Sequence, residues 1–255
     1  VCDFRVVDES ADWVVVDKPA PLIVHPANGR EEPSLLGGLR ALLACDLAGG
    51  GGLSILTRLD RETSGLVLVA KSRRAAREFA ARFERREVEK GYLAVVHGWP
   101  DWRAIDCRAP IRRAGEVGES PIWLRQRTHP DGRPSETAFA VVRRFERDGR
   151  FALVDCRPGS GRTHQIRVHL EALGHPLVGD KIYGTDGRPY LEQISGRLSE
   201  TSRRELRLPR HALHAARLVV GYGDRRLAWE SPLPEDLTRF VSGDSLSVFA
   251  HGQPD

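Results

Sequence analysis

Methionine is absent from all 255 residues, and the chain opens on Val1. That combination predicts a processed or trimmed product. Cysteine is scarce: Cys2, Cys45, Cys107 and Cys156 stand far apart, without the close spacing that zinc sites and redox pairs need. They are expected to be reduced, small apolar side chains of a cytosolic protein. No apolar run approaches the ~18 residues of a membrane span, and no charged-then-apolar leader opens the chain. No repeat period appears and no linker divides the sequence. Charge of one sign is also in short supply, since 39 basic against 35 acidic residues leave only +4. A nucleic-acid partner is compatible with that balance but not required by it. The expectation is one soluble, cytoplasmic domain over residues 1–255, long enough to bury a full core.

What is present centres on Arg58-Leu59-Asp60-Arg61-Glu62-Thr63-Ser64-Gly65, followed directly by Leu66-Val67-Leu68-Val69-Ala70-Lys71. The second half is apolar and β-branched and reads as a buried strand, entered through Gly65. The first half is therefore a loop. It carries the carboxylate of Asp60 between two arginines and beside two hydroxyls, at the mouth of a buried strand where a rigid scaffold displays reactive groups. A capping role for Asp60 through Thr63 and Ser64 competes on equal terms.

Before this loop, Trp13 to Asp17 is a strand halted by Lys18-Pro19-Ala20-Pro21, and Leu22 to Pro26 is a second short run. Ser34 caps a helix running to Leu47, although Gly37 and Gly38 weaken it. Gly49 to Gly52 reads as a surface connector, because it lacks the lysine and hydroxyl of a phosphate-binding loop. Ser72 caps a second helix, with Ala75, Ala76, Phe79, Ala80 and Phe83 on one face and arginines on the others. Those arginines are a solvated face first and a phosphate track second.

Val88 to Gly98 alternates as a strand, and Ser135–Phe145 with Arg150–Cys156 reads as a hairpin turning at Arg147-Asp148-Gly149. Pro100, Pro110, Pro121 and Pro130 punctuate the irregular stretch between them. Gly159-Ser160-Gly161-Arg162-Thr163-His164-Gln165-Ile166-Arg167-Val168-His169-Leu170 opens a helix. Thr163 serves as its cap, Ile166, Leu170 and Leu173 form its apolar stripe, and Gly174 ends it. Arg167 sits at the edge of that stripe. It either snorkels to the surface or turns inward to a carboxylate. Residues 188–208 are a polar helical or loose insertion, 211–220 and 225–229 return to strand, 234–240 is a short helix, and the last fifteen residues are expected to be poorly ordered.

The run Arg58 to Gly65 resembles the Arg-Leu-Asp-x-x-Thr-Ser-Gly signature of the RluA class of pseudouridine synthases. Lys90 to Gly98 and Gly159 to Leu170 resemble that family's second and third motifs, in the same order, and the likeness covers about Trp13 to Phe240. His175 to Asp180, followed by Tyr183-Gly184, extends it. The resemblance implies an α+β fold, with a long, mixed but mostly antiparallel, bent sheet flanked by helices and a central cleft. It implies isomerisation of uridine in RNA: the C1′–N1 bond breaks, the uracil turns, and C5 joins C1′. No water is added and no electrons move, so no cofactor and no metal are expected.

The site residues it implies are Asp60 as the catalytic carboxylate, Arg167 as the basic residue paired with it, and Tyr92 stacked on the target base. A phenol is a poor base for the C5 proton near neutral pH. Arg58 would fill the gap left by the flipped nucleotide or bind its neighbouring phosphate, and Arg162, Thr63 and Ile166 join it in holding substrate. The expected substrate is a structured loop of ribosomal or transfer RNA, and the expected enzyme is a monomer with no membrane contact. Two departures stand out: Pro21 replaces the family's usual glycine, and Thr57 replaces a common histidine. The small RNA-binding domain that precedes many relatives is not expected here. Two rivals remain: an RNA-binding module of the same fold without turnover, and a hydrolase pairing Asp60 with His164, His169 or His175.

Overall fold

A computed structural model of the chain describes residues 3–26, 33–48 and 52–243. In chain order the elements are β1 (Arg5–Glu9), β2 (Trp13–Lys18), α1 (Leu35–Leu42), α2 (Ala44–Ala48), β3 (Ser54–Ile55), β4 (Ser64–Ala70), α3 (Arg73–Glu84), β5 (Glu89–His97), β6 (Ala104–Cys107), β7 (Ile111–Arg113), β8 (Gln126–Thr128), β9 (Thr137–Glu146), β10 (Arg150–Pro158), α4 (Gln165–Ala172), α5 (Arg188–Ile194), α6 (Glu200–Leu206), β11 (Leu213–Tyr222), β12 (Arg225–Glu230) and α7 (Glu235–Ser242). The chain forms two compact units, Val1–Tyr92 with His214–Pro232, and Leu93–Leu213 with Leu233–Asp255.

In the first unit the strands run in the order β1-β2-β4-β11, with β12 beside β11 and β3 beside β4. β4 pairs antiparallel with β2 and parallel with β11, which makes the sheet mixed. β2 from Trp13 to Val16 and β4 from Leu66 to Ala70 are unbroken apolar runs because both faces are covered there. Trp13, Val15, Leu66 and Leu68 pack on one side with Ala75 and Phe79 of α3. Val14, Val16, Val67 and Val69 pack on the other with Leu35 and Leu39 of α1. Ser72 and Ser34 cap these helices as expected, accepting from the amides of Ala75 and Gly37. The helix expected to run on to Leu47 breaks at Leu43, which is buried in the same cluster as Leu35 and Leu39. The Ala20–Pro21 peptide is cis. Gly49 to Gly51 of the glycine connector lie outside the described residues, as do residues 244–255 of the tail.

The second unit orders its strands β5-β10-β9-β6, and β7 and β8 form a separate two-stranded ribbon. The β9–β10 hairpin turns through Asp148 and Gly149, both at positive φ, and a bulge interrupts its register at Leu153/Val154. Phe145 and Phe151 of this hairpin pack with Phe240 of α7, ring centroids 5.2 Å apart for Phe151 and Phe240. A smaller cluster ties the β7–β8 ribbon to α4 through Ile111, Ile122, Val168, Ile182 and Tyr183. Among the described residues no helix is long and apolar enough to cross a membrane.

Candidate active site

Asp60 owes its position to the way β3 leaves the sheet. One edge of β4 is taken by β2 throughout; the other is shared, with β11 at Ser64 and Gly65 and β3 at Val69 and Ala70. The chain continues from β3 with Leu56 donating its amide to Leu68 O at 2.9 Å. At the next residue the Thr57 side chain takes over, its Oγ1 accepting from Leu68 N at 2.9 Å. The backbone is thereby released from the ladder without leaving a buried donor unpaired. Thr57 thus has a structural task here.

Beyond it Leu59 is buried, Arg58 and Arg61 are exposed, and Asp60 lies half-buried between them. The turn closes with Thr63 N donating to Asp60 O at 3.1 Å, and Thr63 itself is buried. A lysine secures the far side. Lys18 is fully buried, and its Nζ donates to the carbonyls of Leu22 (2.8 Å), Pro19 (2.9 Å) and Arg61 (3.3 Å), while Leu22 N donates to Arg61 O. A buried ammonium is costly unless its three protons are satisfied, and these carbonyls satisfy them.

Gly65 sits at φ +113°, and a Cβ there would lie 2.3 Å from Ala215 O of β11. Only glycine permits that approach. Ser64 Oγ meets His214 Nδ1 at 2.9 Å, and His214 Nε2 meets Ser231 O at 3.2 Å. A carbonyl can only accept, so Nε2 carries a proton, and in the neutral ring Ser64 donates to Nδ1. Tyr92 of β5 packs against the α1-side cluster, and its phenol is pushed well above its ordinary pKa, first by burial and then by the negative charge of Asp60. The first unit thus brings Asp60 and Tyr92 together.

Arg167, Arg162 and Ile166 belong to the second unit. Arg167, the edge residue of α4, turns inward and is 5% exposed. Its Nε donates to Asp180 Oδ2 at 2.7 Å and its Nη2 to Asp180 Oδ1 at 2.9 Å, the planar fork that arginine makes with a carboxylate. The Asp180 carboxylate also accepts from Ile182 N and Tyr183 N. Burial alone would raise its pKa, but the charge and hydrogen bonds of Arg167 outweigh that and bring it to about 2.

The Arg167 guanidinium lies over the Tyr183 ring at 4.9 Å, and Tyr183 OH meets His164 Nδ1 at 2.8 Å. Gly179 allows the Asp180 turn, since a Cβ there would lie 2.0 Å from Arg210 O. Asp180 is the residue that sequence reasoning missed. Its signal was the His175-to-Asp180 run, but nothing local says which cation a buried aspartate will face.

The cap expected at Thr163 is corrected by the structure. The residue flanking α4 is His164, in the left-handed region at φ 56°, with no capping side chain. Gln165 does the anchoring instead: its Oε1 accepts from Ser160 Oγ (2.7 Å) and Arg162 N (3.0 Å), and its Nε2 donates to Glu136 O (2.8 Å) and Thr137 Oγ1 (2.9 Å). All four polar positions of a buried amide are thus used, which fixes the entry to the helix better than a threonine hydroxyl would. Arg162 is half-exposed, its Nε donating to Pro134 O, and Ile166 is buried.

The three histidines weighed for hydrolysis are engaged structurally. His164 meets Tyr183, His169 meets Thr137 and Ala109 O, and His175 meets His97 O. Burial pushes His169 down in pKa. Among the described residues no group of three His, Cys, Asp or Glu side chains could hold a metal ion.

Comparison with known proteins identifies the family. The profile of the family described as RNA pseudouridylate synthase matches residues 12–172. A ribosomal large subunit pseudouridine synthase D of Nitrosomonas europaea is 37% identical over 93% of this chain, which spans 64% of that relative's length. The enzyme of the same name from Pseudomonas aeruginosa is 35% identical over 94% of the chain and 71% of its own length. The solved structure of human RNA pseudouridylate synthase domain containing 1 superposes with a TM-score of 0.69 at 26% identity, covering 100% of this chain and 98% of that one. The expected α+β fold stands. By the profile, the relatives and the fold, this chain belongs to the RNA pseudouridylate synthase family.

Proposed function

We propose that the chain isomerises a uridine of large-subunit ribosomal RNA to pseudouridine, with Asp60 acting on the nucleotide. The observation that carries this reading is the seating of Asp60: a half-buried carboxylate on a loop fastened by the buried Lys18, beside a tyrosine whose hydroxyl stays protonated. The reaction retains every atom of the uridine: C1′–N1 breaks, C1′–C5 forms, and the proton lost from C5 is matched by one gained at N1. No oxidant, reductant or water is consumed, and we take the enzyme to need neither cofactor nor metal.

A carboxylate in a closed site must be kept charged against desolvation. Arg167 is assigned that task; the support is the Asp180 fork, which fixes the plane of a buried guanidinium before any substrate arrives. Tyr92 is assigned to stacking on the flipped uracil. Its raised pKa argues against a role as base, because the phenolate is scarce at neutral pH. Arg58 and Arg162 are assigned to the RNA backbone, and the buried Thr63 and Ile166 to supporting the side chains that touch it. Large-subunit RNA is preferred over transfer RNA because relatives are named for it. We take the working unit to be a cytoplasmic monomer and residues 1–255 to be one catalytic domain.

The test is conversion of labelled uridine in bulk ribosomal and transfer RNA. The unmodified protein is expected to form pseudouridine in the ribosomal fraction, and Asp60→Asn none. Binding without turnover by the unmodified protein would favour the module that has lost catalysis.

A further inference from the structure

The β7–β8 ribbon carries a feature that the active site does not use. Trp123, at its outer end, is 74% exposed, the largest exposure of any bulky apolar side chain among the described residues. The ring is nonetheless held: the Arg113 guanidinium lies over it, 3.7 Å from the centroid. One face is covered by a cation and the ring stays open to solvent, the arrangement of a stacking platform.

Beside it, Arg112 of β7 stands directly opposite Arg127 of β8 in the strand register. Like charges facing each other across a ribbon are destabilising; Glu116 offsets one of the three charges of Arg112, Arg113 and Arg127, and the net positive patch that is left suits an anion. The heads of Arg112 and Arg113 converge, since both reach Glu116, at 3.2 and 3.3 Å. The ribbon is also fastened to the Arg167 helix: Gln126 N donates to Tyr183 OH at 2.9 Å, Arg125 reaches Glu171 at 3.5 Å, and Ile122 is buried with Val168.

We propose that the β7–β8 ribbon binds an unpaired nucleotide of the RNA substrate a few residues from the target uridine, with its base stacked on Trp123 and its phosphate between Arg112 and Arg127. The inference rests on the RNA-modifying reading above and adds a second contact to it. Trp123 sits in a turn closed by Arg125 N donating to Ile122 O at 3.1 Å, three residues before Gln126, whose amide bonds Tyr183 under the Arg167 guanidinium, so only a short, hydrogen-bonded stretch of chain separates the platform from the Arg167 helix. Stacking tolerates any base, so the platform orients a strand without reading its sequence.

The experiment uses the full chain and two probes, a fluorescein-labelled dodecauridylate and a fully paired RNA duplex of the same length. Trp123→Ala is expected to weaken binding of the single strand about tenfold and of the duplex little, and Trp123→Phe to restore it. The quench of tryptophan emission by the single strand is expected to be lost in Trp123→Phe although binding persists. Arg112→Ala and Arg127→Ala are each expected to lower the salt dependence of binding. Unchanged single-strand affinity in Trp123→Ala, with an unchanged melting temperature, overturns the inference; so does a wild-type dimer that becomes monomeric in Trp123→Ala, which assigns the ring to a second copy. Failure of the RNA-modifying reading shows separately, as no pseudouridine from the unmodified protein.

Discussion

At the scale of single residues, the chemistry depends on which groups hold their protons. Tyr92 keeps its own because burial and Asp60 both oppose ionisation. A stacking role then predicts that Tyr92→Phe keeps kcat/KM within about tenfold and that Tyr92→Ala loses roughly a hundredfold or more, read by the same conversion assay. A phenylalanine variant as poor as the alanine one would return the hydroxyl to the mechanism.

Asp180 has a pH signature. Its pKa is lowered to about 2 in the folded protein, so between pH 4 and 2 the unfolded chain binds more protons than the folded one. The stability it contributes is fully present above pH 4 and lost as pH falls through 2, about 2 kcal/mol in all. Asp180→Asn removes the buried charge that faces the Arg167 fork and is expected to cost about 3 kcal/mol or more at pH 7, and less as pH falls toward 2. Urea titrations of both proteins across that range check the sign; a deficit that grows on acidification contradicts it. The loop that carries Asp60 and the helix that carries Arg167 were legible because their residues lie next to each other in the chain. Asp180 and Lys18 were not, because their partners are set by how distant segments meet.

At the scale of elements, β4 organises the first unit, and its entry is the point of least tolerance. Gly65→Ala must place a Cβ 2.3 Å from the Ala215 carbonyl at φ +113°, so the β4–β11 contact has to part. The expected loss is about 3 kcal/mol or more, with activity lost alongside, measured by thermal unfolding. Thr57→Val is milder: it leaves Leu68 N without its side-chain acceptor and is expected to cost about 1–3 kcal/mol.

The strands and capped helices of this unit were readable because β-branched runs and serine caps are local signals. The α4 entry was misread because its anchor is not a cap at all. Gln165 reaches back to Glu136 and Thr137, some 28 residues earlier, and no periodicity records that. The exposed Trp123 carried no pattern either, since a tryptophan beside prolines reads equally well as core.

At the scale of the whole molecule, neither compact unit is a continuous stretch of chain. The boundaries at Tyr92/Leu93 and Leu213/His214 fall inside β5 and β11. A strand that starts in one unit and ends in the other argues for one cooperative domain, predicting coincident urea transitions by far-ultraviolet circular dichroism and by tryptophan emission. Two separated transitions would contradict that. The central claim, that Asp60 isomerises a uridine of large-subunit RNA, is tested most directly by mapping pseudouridine in RNA from cells with the gene, without it, and with Asp60→Asn in its place. The account predicts a modified position in large-subunit RNA that disappears on deletion, returns with the wild-type chain and stays absent with the variant. Restoration of that position by Asp60→Asn would contradict it.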